Sequence, residues 1–313
     1  MTKLIVLGPN PAWQKTLFFR DFTRGAVNRA RKMETLASGK GINFCRALKC
    51  QGKSRFTLLQ FSGGDNGGKL DSALQEEGMD FISIKVTGET RCCTTCLDEN
   101  AQVMTELIDP SFPASADDVR AFLDSCDREL SGAAGIAFCG SLPDGTDPGM
   151  YVKAAELAAK HHALLLIDAF RDLEEVFAAA EKVLLKINKE ELEKLSGEKG
   201  IEKGLKKLFS TFSSIKYAAI TDGPADAFAS DGKMIARYTL PELSYVASPL
   251  GCGDTASAIL LSELCSGTEL FPAFQKSLAA ASANCLNPTP GKYAPEEAAA
   301  LLPEYSVRTL SDL

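Results

Sequence analysis

The sequence predicts an α/β domain of three layers, α/β/α, with a mainly parallel central sheet and a small β-sheet lid. Two observations carry the layered part: short continuous apolar runs that close on Gly, Asn or Asp, and helical patterns between them. Apolar runs without alternation, separated by helices, describe parallel strands covered on both faces. A third observation carries the lid: two stretches, 12–36 and 85–107, break this rhythm and read as antiparallel pairs inserted into the layered core.

In chain order the apolar runs are KLIVLG near the N-terminus, AGIAFCG at 134–140, ALLLID at 163–168, KVLLKIN at 182–188 and YAAITDG at 217–223. Helical patterns fall at 41–51, 66–77, 115–130, 147–161, 171–180, 189–195 and 199–210. The two inserted stretches are rich in Thr, Phe, Val and charge, with turn signals at Arg24-Gly25 and Glu99-Asn100. The expected organisation is therefore a core of 1–11, 37–84 and 108–313, with the lid built from 12–36 and 85–107. Exposed Phe18, Phe19 and Phe22 offer a surface for pairing with a second lid in a homodimer; ordinary packing accounts for them as well. Parallel sheets bind ligands beyond the carboxyl ends of their strands, so the residues closing each run are the ones to examine.

Composition limits the function classes. A chain of 313 residues with 45% hydrophobic residues supports one large domain, or a large domain with a small companion. A net charge of −7 without a basic run argues against nucleic acid as a partner. The first apolar run is too short for a secretory signal and no stretch is long enough to span a bilayer, so a cytoplasmic protein without membrane contact is expected. The ten cysteines are then expected to stay reduced. Cys93 and Cys96 form a C-x-x-C pair, but no second pair follows and the two histidines, His161 and His162, are adjacent; thiols on a strand is the preferred reading. With so little histidine, a general base would more readily be Asp or Glu.

Two glycine-rich turns carry the chemistry. SGKGIN at 38–43 places Gly39, Lys40 and Gly41 before a helix with Ile42, Cys45 and Leu48 on its apolar face and Gly52 beyond its end. Such a turn brings backbone N–H groups and a cation to an anion, although Gly-Lys-Gly is also an ordinary exposed turn. It is not a Walker A loop, because the G-x-x-x-x-G-K-[ST] spacing is absent. SPLGCGDTASAILL at 248–261 is more specific. Asp254 stands where a helix opens, behind Gly251 and Gly253, whose bare amides can hold developing negative charge while the carboxylate takes a proton from a hydroxyl. The plain alternative is an aspartate N-cap. The combination suits attack by an alcohol on a phosphoryl group.

The motifs NPAWQKT at 10–16, SGKGIN at 38–43, GETR at 88–91, GSLPDG at 140–145, LKINKEE at 185–191 and GCGD at 251–254 occur in the order and spacing of a known family. The chain resembles the ribokinase-like (PfkB) sugar kinases, and within them the 1-phosphofructokinase and tagatose-6-phosphate kinase branch, from about residue 4 to 292. The resemblance implies transfer of the γ-phosphoryl group of ATP, aided by Mg²⁺, to a hydroxyl of a sugar phosphate. It implies Asp254 as the base, with the amides of Gly251, Cys252 and Gly253 as the anion hole. Lys186 and Asn188 match residues beside the ATP phosphates, Glu191 a glutamate that holds Mg²⁺ through water, and Thr221 and Gly223 the nucleotide loop; Asn287 stands at the edge of the adenine pocket. Lys40, Arg91 and Ser141, joined by Arg29, match positions that hold the phosphate already on the acceptor. Gln14, Gly39 and Asn43 match positions that meet sugar hydroxyls.

Several residues depart from the branch pattern. Gln14 stands where an aspartate is usual, Ser38 for the first glycine of G-G-K-G, Cys252 for the alanine of G-A-G-D, Ile187 for the proline of K-P-N, and Asp222 enters the nucleotide loop. Gln14 donates as well as accepts hydrogen bonds, which leaves open a different sugar or a nucleoside as acceptor. Asp222 needs a cation or an outward orientation, and a helix N-terminus is expected to lower the Cys252 pKa. A non-catalytic phosphosugar-binding protein on the same fold is the alternative from another class.

Overall fold

The computed structural model describes residues 1–101, 103–168 and 173–312, with only the backbone described at 311 and 312. Its strands are β1 (Thr2–Leu7), β2 (Ala12–Phe19), β3 (Lys32–Ser38), β4 (Ser54–Ser62), β5 (Phe81–Lys85), β6 (Cys92–Asp98), β7 (Val103–Ile108), β8 (Gly135–Cys139), β9 (Leu164–Asp168), β10 (Val183–Asn188), β11 (Ile215–Thr221), β12 (Ala227–Ser230), β13 (Met234–Thr239) and β14 (Ser306–Asp312). The helices are α1 (Lys40–Gln51), α2 (Gly64–Glu76), α3 (Ala116–Leu130), α4 (Gly149–Lys160), α5 (Glu174–Ala179), α6 (Lys189–Ser196), α7 (Ile201–Thr211), α8 (Cys252–Cys265), α9 (Leu270–Cys285) and α10 (Pro295–Leu301).

The five apolar runs are neighbouring or near-neighbouring strands of one ten-stranded sheet, ordered β14-β13-β12-β11-β10-β9-β8-β1-β4-β5. Pairing is parallel from β11 to β5, and β12, β13 and β14 add an antiparallel edge. Along β1 the period of two sorts the side chains: Leu4 and Val6 join a core with α1, α8 and α9, whereas Ile5 and Leu7 join a second core with α3, α4 and α7. That is the three-layer arrangement. From β1 the chain adds β4 and β5 on one side and β8 to β11 on the other, so the order reverses between β1 and β8, and ligand crevices open at such reversals.

The helical patterns fall within about two residues of the observed ends where both lie among the described residues. Positions 171 and 172 of the expected helix 171–180 lie outside them; α5 covers Glu174–Ala179. Two capping boxes fix boundaries: Ser115 with Asp118 opens α3, and Asn188 with Glu191 opens α6.

The two irregular stretches form a separate four-stranded sheet, β3-β2-β6-β7. Each is an antiparallel hairpin, and the hairpins join through a parallel β2–β6 seam. The apolar surface of this sheet differs from the expected one. Phe19 is buried with its ring 5.3 Å from that of Phe22, and Phe18 lies under the Lys32 ammonium. Met33, Val103, Met104, Leu107 and Ile108 are the large apolar residues of the sheet's strands left exposed among the described residues. Cys93 and Cys96 are free thiols on β6, and an odd spacing on a strand turns them to opposite faces, away from a shared ion.

Candidate active site

Helix α8 begins through a backbone that tolerates no side chain. Gly251 has φ 79°, and a β-carbon there would lie 2.6 Å from the Gly291 nitrogen. Gly291, φ 78°, in turn presses on α1, where a β-carbon would meet the Asn43 carbonyl oxygen at 2.3 Å. The segment 287–291 is thus wedged between the openings of α8 and α1. The first intrahelical bond runs from the Thr255 N–H to the Gly251 carbonyl at 2.8 Å, which leaves the amides of Cys252, Gly253 and Asp254 without an intrahelical acceptor. The Cys252 amide reaches back to Pro249 at a long 3.4 Å.

Asp254 is not the N-cap of this helix: Gly251 holds that place, and Asp254 is the third helical residue. Its carboxylate is 8% exposed and accepts a 2.9 Å hydrogen bond from Asn43 Nδ2, across 211 residues of sequence. Asp168, at the carboxyl end of β9, lies in the same cluster. It accepts from Lys40 Nζ at 3.1 Å and from Ser257 Oγ at 2.8 Å, and Lys186 Nζ stands 3.9 Å away. Lys186 is almost wholly buried at the end of β10, and a β-carbon on Gly253 would come within 3.3 Å of its Nζ. A buried ammonium therefore adjoins the amides of the helix opening, an arrangement that can receive an anion.

The two carboxylates are driven apart. Burial, then the charge of Asp168, raises the Asp254 pKa to about 6, with Lys40, the Asn43 hydrogen bond and Lys186 opposing. Burial also pushes Asp168 upward, but Lys186, Lys40 and the hydrogen bonds from Ser257 and Lys40 outweigh it and hold this carboxyl below its usual range. Lys40 is raised above its ordinary value, chiefly by the charge of Asp168. The split leaves Asp168 ionised between the two lysines and brings the Asp254 carboxyl closer to neutrality, where a carboxyl can exchange a proton.

The other residues singled out from the sequence are spread over several elements. Asn188 and Thr221 are paired across β10 and β11, and Gly223 follows with φ 58°. In the α6 capping box the Asn188 side chain accepts from the Glu191 amide and one Glu191 oxygen accepts from the Asn188 amide, both at 2.8 Å. Asp222 meets a cation, Lys189 Nζ at 3.5 Å. Asn287 caps its own turn by accepting from the Thr289 amide at 2.9 Å. Gly39 is the N-cap of α1 with φ 132°. Gln14 is buried on β2, and its Nε2 donates to Thr95 Oγ1 at 2.6 Å. Arg91 donates to the Asn10 carbonyl at 2.9 Å. Arg29 and Ser141 are exposed, Arg29 in the β2–β3 loop and Ser141 just after β8. The Cys252 thiol departs from expectation: a close contact with Cys285 Sγ at 2.8 Å and burial raise its pKa, against the pull of the helix end, while the same contact lowers that of Cys285.

Asp168 and Ser257 escaped the sequence reading. Asp168 closes the apolar run ALLLID, the kind of position that the strand-end rule marks. Ser257 is one turn beyond Asp254, where i and i+3 share a helix face.

The model of the pfkB family carbohydrate kinases matches residues 2–297. The chain belongs to this family. A tagatose-6-phosphate kinase of Staphylococcus epidermidis is 26% identical to this pfkB kinase over 268 residues, covering 83% of this chain and 85% of its relative. Escherichia coli phosphofructokinase-2, solved in complex with fructose-6-phosphate, superposes on the pfkB kinase with a TM-score of 0.86 at 20% identity, covering 97% of this chain and 99% of that one. A Thermotoga maritima protein described as a possible 1-phosphofructokinase gives 0.87 at 19% identity, over 99% and 100% of the two chains. At these identities the superpositions show a shared fold.

Proposed function

We propose that this pfkB kinase transfers the γ-phosphoryl group of ATP to a hydroxyl of a sugar phosphate of the fructose-1-phosphate or tagatose-6-phosphate kind. The observation that carries this reading is Asp254: a buried carboxyl poised near neutrality, beside bare helix amides and a buried lysine. Asp254 accepts the proton of the attacking hydroxyl. The amides of Gly251, Cys252 and Gly253, with Lys186, receive the charge on the migrating phosphoryl group. Asn188, Glu191, Thr221 and Gly223, at the ends of β10 and β11, line the nucleotide side, with Asn287 at its edge. Lys40, Arg91 and Ser141, with Arg29, take the phosphate already on the acceptor, and Gly39, Asn43 and Gln14 meet its hydroxyls.

The oxygen donors present suit Mg²⁺, which keeps several waters and binds mainly through substrate phosphates. Glu191 offers its remaining oxygen, and among the described residues no cluster of three metal-ligating side chains competes for the ion. When bound, the ion neutralises phosphate charge. The small sheet, from 12–36 and 85–107, acts as a lid that excludes water from the acceptor. Its exposed Met33, Val103, Leu107 and Ile108 pair with a second copy. Light scattering at micromolar concentration that shows monomer alone would overturn this homodimer.

A coupled ADP-release assay over fructose 1-phosphate, tagatose 6-phosphate, fructose 6-phosphate, free sugars and nucleosides tests the reading. Release with a phosphorylated ketose is expected. Release only with an unphosphorylated acceptor would move the substrate class, and saturable binding without ADP would leave a phosphosugar sensor. With the active acceptor, kcat/KM should fall about tenfold per pH unit below about 6, because the base must be ionised. A profile that stays flat from about pH 5 to about pH 8 removes Asp254 as the base.

A further inference from the structure

One buried cation is not explained by the roles above. Arg46 is 2% exposed and lies one turn beyond Asn43 on α1. Its Nε and one terminal nitrogen grip Glu77 at 2.7 and 2.6 Å, and that same nitrogen donates to the Ala37 carbonyl at 2.6 Å. The other terminal nitrogen donates to Asn43 Oδ1 at 3.3 Å. A guanidinium has donors and no acceptor, so the face of the Asn43 amide turned toward it must be the oxygen. The –NH2 face is then turned the other way, onto Asp254, at 2.9 Å.

We propose that Arg46 is a positioning residue, which fixes the orientation of the Asn43 amide and so keeps a hydrogen-bond donor aimed at Asp254. The inference rests on Asp254 being the catalytic base. Without this constraint only an ionised Asp254 selects the donor face of the amide, and a protonated Asp254 could instead donate to the turned-over oxygen, which favours the protonated form. The chain of contacts runs Glu77, Arg46, Asn43, Asp254, from the end of α2 through α1 to the opening of α8. A donor held on a carboxylate favours the ionised form, so Arg46 lowers the pH at which the base becomes available. The other charged or titratable groups facing Asp254 are Asp168 from β9, Lys186 from β10, Lys40 from α1, Cys139 from β8 and Cys252 from its own helix.

The test is a pH titration of the Asn43 side-chain amide protons by ¹⁵N–¹H NMR, in the chain alone and in Arg46→Met and Arg46→Lys. In the native chain the resonances should titrate near pH 6 and lose that titration in Asp254→Asn. Arg46→Met should move the midpoint up by about one unit, the size of one charge-assisted hydrogen bond, and move the acid limb of kcat/KM with it. Arg46→Lys, which also only donates, should restore the midpoint to within a few tenths, even with a lowered melting temperature. A role in packing alone predicts that both variants melt earlier and titrate like the native chain, and that result overturns the proposal. If Arg46→Met does not fold, Arg46→Gln, whose amide both donates and accepts, takes its place with the same expected direction. If neither folds, amide protons in the native chain that ignore the ionisation of Asp254 overturn it. Full turnover in Asp254→Asn would sink the base assignment, whereas an unmoved midpoint in a folded Arg46 variant sinks only the positioning role.

Discussion

Replacing Asp254 with asparagine should lower kcat about a thousandfold, the mid-range for removing a general base, while KM for the acceptor changes little. The same variant should be more stable than the native chain at pH 7. A carboxyl whose folded pKa stands at about 6 against an ordinary 3.8 opposes folding once it is ionised. That penalty is full above the folded value and disappears as the pH falls below the unfolded one. Relief of it is worth about 3 kcal/mol, and the introduced amide still offers Asn43 an acceptor oxygen. Loss of rate with a gain in melting temperature separates removal of the base from general damage to the fold. Urea unfolding at pH 7 with single-turnover kinetics reads both; turnover near native speed would reject the assignment.

Gly251→Ala should produce the opposite pairing, with rate and stability falling together. The left-handed backbone alone costs about 1–2 kcal/mol for a residue with a β-carbon. Contacts of 2.6 Å with the Gly291 nitrogen and 2.9 Å with the Pro290 ring then force the wedge away from α8, because neither main chain nor a proline ring can rotate aside as a flexible side chain does. A total loss of about 3 kcal/mol is expected by equilibrium unfolding. Displacement of the amides ahead of Gly253 should reduce kcat about a hundredfold. A variant with native stability and rate would show that the turn is looser than its geometry implies.

Much of the fold was readable because parallel strands buried on both faces leave an uninterrupted apolar signature. Strand β4, SRFTLLQFS, was not read, since Thr57, Gln60 and Ser62 interrupt it; all three are nonetheless buried. The antiparallel strands β12, β13 and β14 are short edge elements whose pattern resembles loop. Helix α9 carries Pro272 in its first turn and no side-chain cap, and it is buried on most of its circumference, so it shows little helical contrast between faces.

At the site, Gly251, Gly253 and Asp254 were legible because a turn, its glycines and its acid are contiguous. Asp168 was not, because what sets it apart is its partners, Lys40 at a separation of 128 residues and Ser257 at 89. Arg46 read only as one more residue of an amphipathic helix. No spacing rule reports such distant contacts. Asp254 read in the sequence as a base with an N-cap as the plain alternative, and the Gly251 turn removes that alternative by occupying the cap position itself.

The junction between β3 and α1 is one residue long. β3 ends at Ser38, Gly39 turns the chain, and Lys40 already belongs to the helix. The smaller sheet is therefore joined to the helix that carries Lys40, Asn43 and Arg46 through a single glycine. Because α1 is buried from Gly41 to Leu48 and stays with the core, any tilt of the small sheet on this side would be taken up at Gly39, while Lys40 and Asn43 keep their places.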